Sequence, residues 1–374
     1  MAWEILIWLP AKTLARFKLV SKAWHATISD PAFVLAHLER GTGTGTGTEQ
    51  DPPQAEAAAA AASSVHFYQL YSAPQQQQDD TMGKKKKKKR SSATLLHERH
   101  FRADEFTQAA PMAHCDGLVL LPTDTKTYVF NPATRDSISL PESSRNMMRQ
   151  EGPRTCLPTG LGYDASTGRY KVARAFYRSG DYSHTAMGME VFTINGGDDD
   201  GDEEEDGNWG WRETHEDSPC LVWCPQTPLH HKGHLFYFTD TKNQQPSSLP
   251  LGLLRFSLAS ETFGFTPLLT NMFPPRAGDD DGSIVIHELD GELCATFFCK
   301  QARRLFVWVA RDVLDPRWGL RYTIHVSERF CYPVASLGAN DTSLCSDCGD
   351  SFFSLIFHTE SLVPLVTKAS LQAL

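Results

Sequence analysis

From residue 95 onward the chain is written in short apolar runs, each closed by turn residues, and this rhythm restricts the fold more than any other feature. The runs fall at 118–121, 128–130, 170–176, 189–194, 235–238, 253–258, 263–265, 283–289, 292–299, 305–309 and 322–326. Gly, Pro, Asn and Asp stand between them, and apolar residues seldom recur at helical spacing. Asp290-Gly291 separates two of the runs and is a hairpin signal, because the tight two-residue turn needs a positive φ at both positions. Many short strands with regular turns predict an all-β sandwich, barrel or propeller. Roughly 280 residues is long for one sandwich. Three turns also repeat a theme between strands: Asn131-Pro132-Ala133-Thr134, Asp164-Ala165-Ser166-Thr167 and Leu258-Ala259-Ser260-Glu261. A degenerate repeat of about 40–50 residues predicts a β-propeller of roughly six blades, with a β-sandwich-like fold as the alternative.

Residues 4–38 obey a different rule. The stretch before Leu9-Pro10 is strongly apolar, and the proline, which has no N–H and restricts the residue before it, stops a first helix. Leu14, Phe17 and Val20 then recur three apart, with Lys12, Arg16 and Lys18 elsewhere, which predicts an amphipathic second helix. Ser21 is placed to cap a third that carries Trp24 and Ile28. Asp30-Pro31 turns the chain into a last apolar turn or two. A three-helix unit of this size cannot hide all of Ile5, Leu6, Leu9, Leu14 and Phe17. Its residual apolar face must meet a helical partner or the rest of its own chain, and composition favours neither.

The order of residues favours the partner. Leu9, Pro10, Lys12, Leu14, Arg16, Phe17, Lys18, Val20, Ser21, Lys22, Trp24, Ile28, Asp30, Pro31, Phe33, His37 and Leu38 together resemble the F-box of plant F-box proteins over nearly its whole length. The resemblance implies docking on a Skp-family adaptor and, through it, a cullin scaffold. The residues expected to make the adaptor contact are Ile5, Leu6, Leu9, Pro10, Leu14, Phe17, Val20 and Trp24, with Trp24 and Ile28 equally suited to the unit's own core. Family members carry a Leu-Pro and several helix-forming residues before the counterpart of Glu4. Against that pattern about half a turn or more of the first helix is missing, which implies weakened adaptor binding or a misplaced start.

The β region has its own likeness. Cys115-Asp116-Gly117-Leu118, Phe130-Asn131-Pro132-Ala133-Thr134-Arg135 and Gly160-Leu161-Gly162-Tyr163-Asp164 resemble the F-box-associated domain that follows the F-box in such proteins. So do Lys232-Gly233-His234-Leu235, Phe256-Ser257-Leu258 and Leu289-Asp290-Gly291-Glu292. The expected organisation is an F-box over 1–38, a low-complexity linker over 39–94 and an all-β domain over 95–374, with the acidic run 198–206 as an inserted loop. Repeats such as GTGTGTGT bury too little apolar surface to order themselves. The short apolar stretch 65–70 is the exception, a strand that would belong to the following domain.

Composition closes off several functions. The net charge is −9; with the +7 of residues 84–90 set apart, the rest carries −16, which argues against a nucleic-acid coat. Residues 84–90 are of the nuclear-import type, no better than a solvated linker, and no aromatic residues interleave with them to stack on bases. No apolar run is long enough to span a membrane. The first residues lack the pattern of a secretory signal. The chain is expected inside the cell, in nucleus, cytoplasm or both, with its nine cysteines reduced.

Candidates for chemistry are thin. His114-Cys115-Asp116 has the composition of a nucleophile centre, but neighbours on a strand point to opposite faces. His230, His231 and His234 are splayed by the Gly233 turn. Cys345 and Cys348 have zinc spacing and lack a second pair, unless Cys220 and Cys224 complete the set. No cofactor, metal or catalytic residue is expected. The reading is a non-catalytic substrate receptor of a Skp–cullin–F-box ubiquitin ligase that brings a target protein to the ubiquitination machinery. The alternatives are a truncated F-box protein that acts only as a binding module outside the ligase, and a β-propeller enzyme.

Overall fold

The computed structural model describes residues 2–41, 62–71, 92–102, 112–123, 126–145, 158–178, 186–194, 210–222, 228–240, 251–268, 284–299, 302–312, 314, 316–325, 331–336, 342–346 and 361–365. The acidic run 198–206, the basic run 84–90, Cys224 and Cys348 lie outside them. Four helices come first: α1 (Ala2–Leu6), α2 (Ala11–Phe17), α3 (Lys22–Ser29) and α4 (Pro31–Gly41). Pro10 stands at the N-cap of α2. Ser21 caps α3 by accepting the Trp24 N–H at 3.2 Å, and Asp30 Oδ1 accepts the Ala32 N–H at the start of α4. The last turn or two expected after Asp30-Pro31 is in fact an 11-residue helix. Its apolar residues Phe33, Val34 and Leu38 are buried, and burial sustains a helix that local propensity alone would not.

Among the described residues twenty strands follow, all paired antiparallel. Four sheets have four strands each, hydrogen-bonded in sequence order. Blade 1 holds β3 (Ala113–Cys115), β4 (Leu118–Pro122), β5 (Thr127–Asn131) and β6 (Asp136–Ser139). Blade 2 holds β7 (Thr159–Asp164), β8 (Arg169–Tyr177), β9 (Met187–Ile194) and β10 (Arg212–Glu213). Blade 3 holds β11 (Leu229–His231), β12 (His234–Phe238), β13 (Gly252–Ser257) and β14 (Phe263–Pro267). Blade 4 holds β15 (Ile284–Leu289), β16 (Glu292–Cys299), β17 (Arg304–Ala310) and β18 (Trp318–His325). Two further hairpins are β1 (Ala62–Tyr71) with β2 (Ser92–Arg102), and β19 (Cys331–Ser336) with β20 (Thr342–Ser346). The β1–β2 hairpin takes up parts of the segment expected to be linker, on both sides of its low-complexity centre.

The blades stack face to face in chain order, as in a propeller. One apolar cluster joins blades 1 and 2 through Leu118, Leu120, Val129, Leu161, Val172 and Phe192. A second joins blades 2 and 3, and a third joins blades 3 and 4 through Phe236, Leu253, Leu293 and Ala295. Phe101 of β2 packs on Val119, Leu121, Tyr128 and Phe130, the other face of blade 1. The first strands of the four blades meet one another, β3 against β7 and β11, and β11 against β15, so they line the axis.

The repeated turns have one geometry. Arg135 N–H donates to Asn131 O, Gly168 N–H to Asp164 O and Glu261 N–H to Ser257 O, at 2.8, 2.8 and 2.9 Å. Each turn ends on a residue of positive φ: Arg135 at 70°, Gly168 at 68° and Glu261 at 54°. The third turn therefore starts at Ser257, one residue before the expected Leu258. Asp116-Gly117, Lys232-Gly233 and Asp290-Gly291 all have positive φ at both positions, the form that suits a tight hairpin.

Candidate functional site

The helical unit separates its apolar residues into two sets. Leu6, Leu14 and Ile28 are buried, and they share one cluster with Phe33, Val34 and residues of blades 1 and 2. Leu9, Phe17 and Trp24 are partly covered against that cluster, and the Phe17 and Trp24 rings lie 5.0 Å apart. Ile5 and Val20 are 64% and 62% exposed, and Pro10 is exposed too. Of the eight residues expected at an adaptor contact, Leu6 and Leu14 are thus buried in this structure. Val20 does not continue the face of α2, because that helix ends at Phe17.

Sequence spacing missed four exposed residues: Trp3, Trp8 at 72%, Leu19 at 89%, and Leu35. Exposed large apolar side chains in one small unit are informative where single ones are not. The turn that presents Pro10 is held from behind. His37 Nε2–H donates to Leu9 O at 2.8 Å, the Phe33 ring meets Trp3 edge-on, and the Arg40 guanidinium lies over Trp8.

A second constellation lies where the first strands of the blades converge. Cys115 is buried, and beside its hydrogen bond with the neighbouring Asp116 carboxyl it meets an imidazole from a distant strand. His230, from blade 3, places Nδ1 3.3 Å from the Cys115 sulfur. The Tyr163 N–H donates to His230 Nε2 at 3.4 Å, so Nδ1 carries the proton and donates to the sulfur. Tyr170 O–H donates to Asp116 at 3.2 Å, and His231 Nδ1–H donates to Glu288 at 2.8 Å. Burial, and next the Asp116 charge, hold the Cys115 thiol well above its ordinary range. Burial also pushes His230 down to about 4. A thiol so hard to ionise beside so weak a base makes no activated nucleophile.

His231 faces away from His230 across the strand and opposes His234 in the hairpin, so the three imidazoles do not converge. Among the described residues no group of three or more His, Cys, Asp or Glu is arranged to hold a metal ion. Elsewhere the buried charges are paired within blade 2 and across to blade 3. Lys171 joins Asp164, Glu261 and the Leu258 carbonyl, and Arg174 grips Glu190.

Comparison with known proteins matches this architecture. The family model described as the F-box associated beta propeller domain matches residues 60–336, and the F-box domain matches residues 2–35. The chain belongs to the F-box proteins that carry an F-box-associated β-propeller domain. Among curated relatives, F-box protein At2g21930 of Arabidopsis thaliana is 25% identical over 84% of this chain and 69% of its own length. F-box protein At5g10340 of the same plant is 25% identical over 86% of this chain and 67% of its own. Putative F-box protein At1g47790 is 26% identical over 46% of this chain, which spans only 38% of that relative. No helix among the described residues is long and apolar enough to cross a membrane.

Proposed function

We propose that this chain is a substrate receptor of a Skp–cullin–F-box ubiquitin ligase. Its helical unit docks on the Skp-family adaptor, and its β domain holds a target protein near the ubiquitin-charged enzyme. The chain performs no chemical step. It raises the effective concentration of target at the transferring enzyme, and that is its contribution to rate. The work is done inside the cell, in the nucleus, the cytoplasm or both. Residues 1–38 are the docking unit, 39–94 the tether, which contributes β1 and the start of β2, and 95–374 the recognition module.

One observation carries the reading: a unit matched by the F-box model leaves Ile5, Trp8, Leu19 and Val20 more than half exposed. Such side chains in water are stabilised by a partner that covers them, at roughly 1.5–3 kcal/mol for each one fully buried. Leu9 and Pro10 complete the surface by fixing where α1 ends. The test is adaptor pull-down with Ile5→Asp/Val20→Asp and with Leu9→Ala/Pro10→Ala. Both variants are expected to lose the adaptor, and the first to keep its melting temperature. Retention of adaptor by the exposed pair would contradict the docking surface.

A further inference from the structure

Blade 4 ends in the longest outer strand of the four blades. β18 has eight residues, against four in β6, two in β10 and five in β14. Among the described residues β18 pairs with β17 alone, so no strand answers the backbone N–H and C=O groups of its outer side. An open edge is a template for a further strand, and proteins blunt it with brevity, proline, bulges or charge. β6 and β10 are short, and β14 closes on Pro267. β18 is long and contains no proline. Its protections are Arg321 and a bulge there, between the partners of Val307 and Trp308.

Two further observations fall on the same edge. Leu314 and Leu320 are 65% and 48% exposed, the large apolar side chains of the β domain left so among the described residues. One lies on β18 and the other in the connection that leads into it. Single exposed leucines are ordinary, but these two share one open edge. Charge is displaced as well. Residues 302–325 carry five arginines against two aspartates, in a chain whose net charge is −9. Arg321 is neutralised by Glu292. Arg303, Arg304 and Arg311 are exposed and form no ion pair among the described residues. Arg304 stands opposite His325 at the end of β18, and Arg311 follows Ala310, the partner of Trp318 at its start. Basic groups therefore flank both ends of the open strand. Trp318 is buried and donates from Nε1 to the Pro267 carbonyl at 3.0 Å, which pins the edge to blade 3 before any partner arrives.

We infer that β18 receives an acidic, extended segment of the target protein, added as a fifth strand to blade 4. Backbone hydrogen bonds along the edge supply affinity, and alternate side chains supply selectivity. Arg304 and Arg311 attract the carboxylates of the segment, and Leu314 and Leu320 meet its apolar residues. A second copy of this chain is a poor occupant, because β18 on β18 would set arginine against arginine. The occupant rests on the receptor reading, and the site rests on topology, exposure and charge.

The test uses the full chain and a labelled nine-residue peptide in which glutamate alternates with valine and threonine, long enough to run the ~25 Å of the strand. One comparison peptide replaces glutamate by glutamine. Another is N-methylated at alternate amides, so that it cannot pair with an edge. The glutamate peptide is expected to bind at least about fivefold tighter than either, with the charge preference shrinking as salt rises. Arg304→Gln/Arg311→Gln is expected to remove most of that preference. Leu320→Glu, at an exposed position, is expected to weaken the glutamate peptide by a similar factor. Equal binding of the three peptides would overturn the inference, and so would a preference that survives the substitutions. Tighter capture of a single-stranded oligonucleotide than of the peptide would also overturn it. A fivefold gain on replacing 198–206 with Gly/Ser would assign the edge to the chain's own acidic run and overturn the target as occupant. Adaptor capture is measured on the same samples: its absence with the peptide preference intact overturns the receptor reading and upholds the edge site.

Discussion

Gly162 shows how much a single missing side chain can position. A Cβ there would meet His230 and lie 2.5 Å from Leu258 Cδ1, so the blade 3 imidazole reaches Cys115 only across a glycine. Gly162→Ala is expected to cost about 1–3 kcal/mol through overpacking, read as a fall in the melting midpoint. Buried histidines set the response to acid. His230 and His287 are both pushed down to about 4 by burial, against about 6.5 unfolded. The unfolded chain therefore binds more protons between those values, and the stability these residues contribute is whole above pH ~6.5 and lost on the way to pH ~4. Asp164 extends the loss: burial would raise its carboxyl, but hydrogen bonds from Lys171, Ser166 and Thr167 win and hold it well below the usual range. Its contribution disappears as pH falls through that lower region. Melting midpoints should decline from pH 7 to 5, and His230→Asn should flatten the slope; a flat wild-type profile would contradict the assignment.

At the scale of elements, sequence and structure agree where a strand is apolar and buried along its length and part company where it is not. Strands such as β8, β9 and β16 announce themselves by long apolar content, and the hairpin at Asp290-Gly291 by its turn chemistry. The first strands of blades 2 and 3 do not. β7 reads TGLGYD because glycines must admit Pro228, Leu235 and His230 from the next blade. β11 carries two histidines where apolar residues would mark a strand. The imidazole partner of Cys115 is 115 residues away, and no local pattern can reveal such a pair. The helical unit was legible in its motif, while the split between core and surface was not. That split depends on where α2 ends and on the length of α4. His37 ties α4 to the carbonyl of Leu9, so His37→Ala should free α1: hydrogen exchange of its amides is expected to rise about tenfold, the effect of ~1.4 kcal/mol.

At the scale of the whole molecule, the blades stack in chain order and a late segment is fastened to the first of them. Asn131, fully buried in blade 1, donates from Nδ2 to the carbonyls of Ser361 and Val363 at 3.0 Å each, while its Oδ1 accepts the Ala133 and Thr134 N–H groups. The turn and the late segment 361–365 are thereby fastened by one side chain. Asn131→Asp keeps the turn acceptor and loses both donors, so it isolates the fastening. Destabilisation of about 2–4 kcal/mol and early proteolysis near residue 361 are expected. The same blade shares its apolar cluster with the helical unit, through Leu6, Leu14 and Phe33. The helical unit and the β domain are therefore packed together, and Ile5, Trp8, Leu19 and Val20 of the first stay exposed. The measurement that tests this most directly is titration calorimetry of the purified full chain against the Skp adaptor. Micromolar or tighter binding, abolished by Ile5→Asp/Val20→Asp, is the predicted result. No heat of binding from the wild-type chain would contradict the receptor reading.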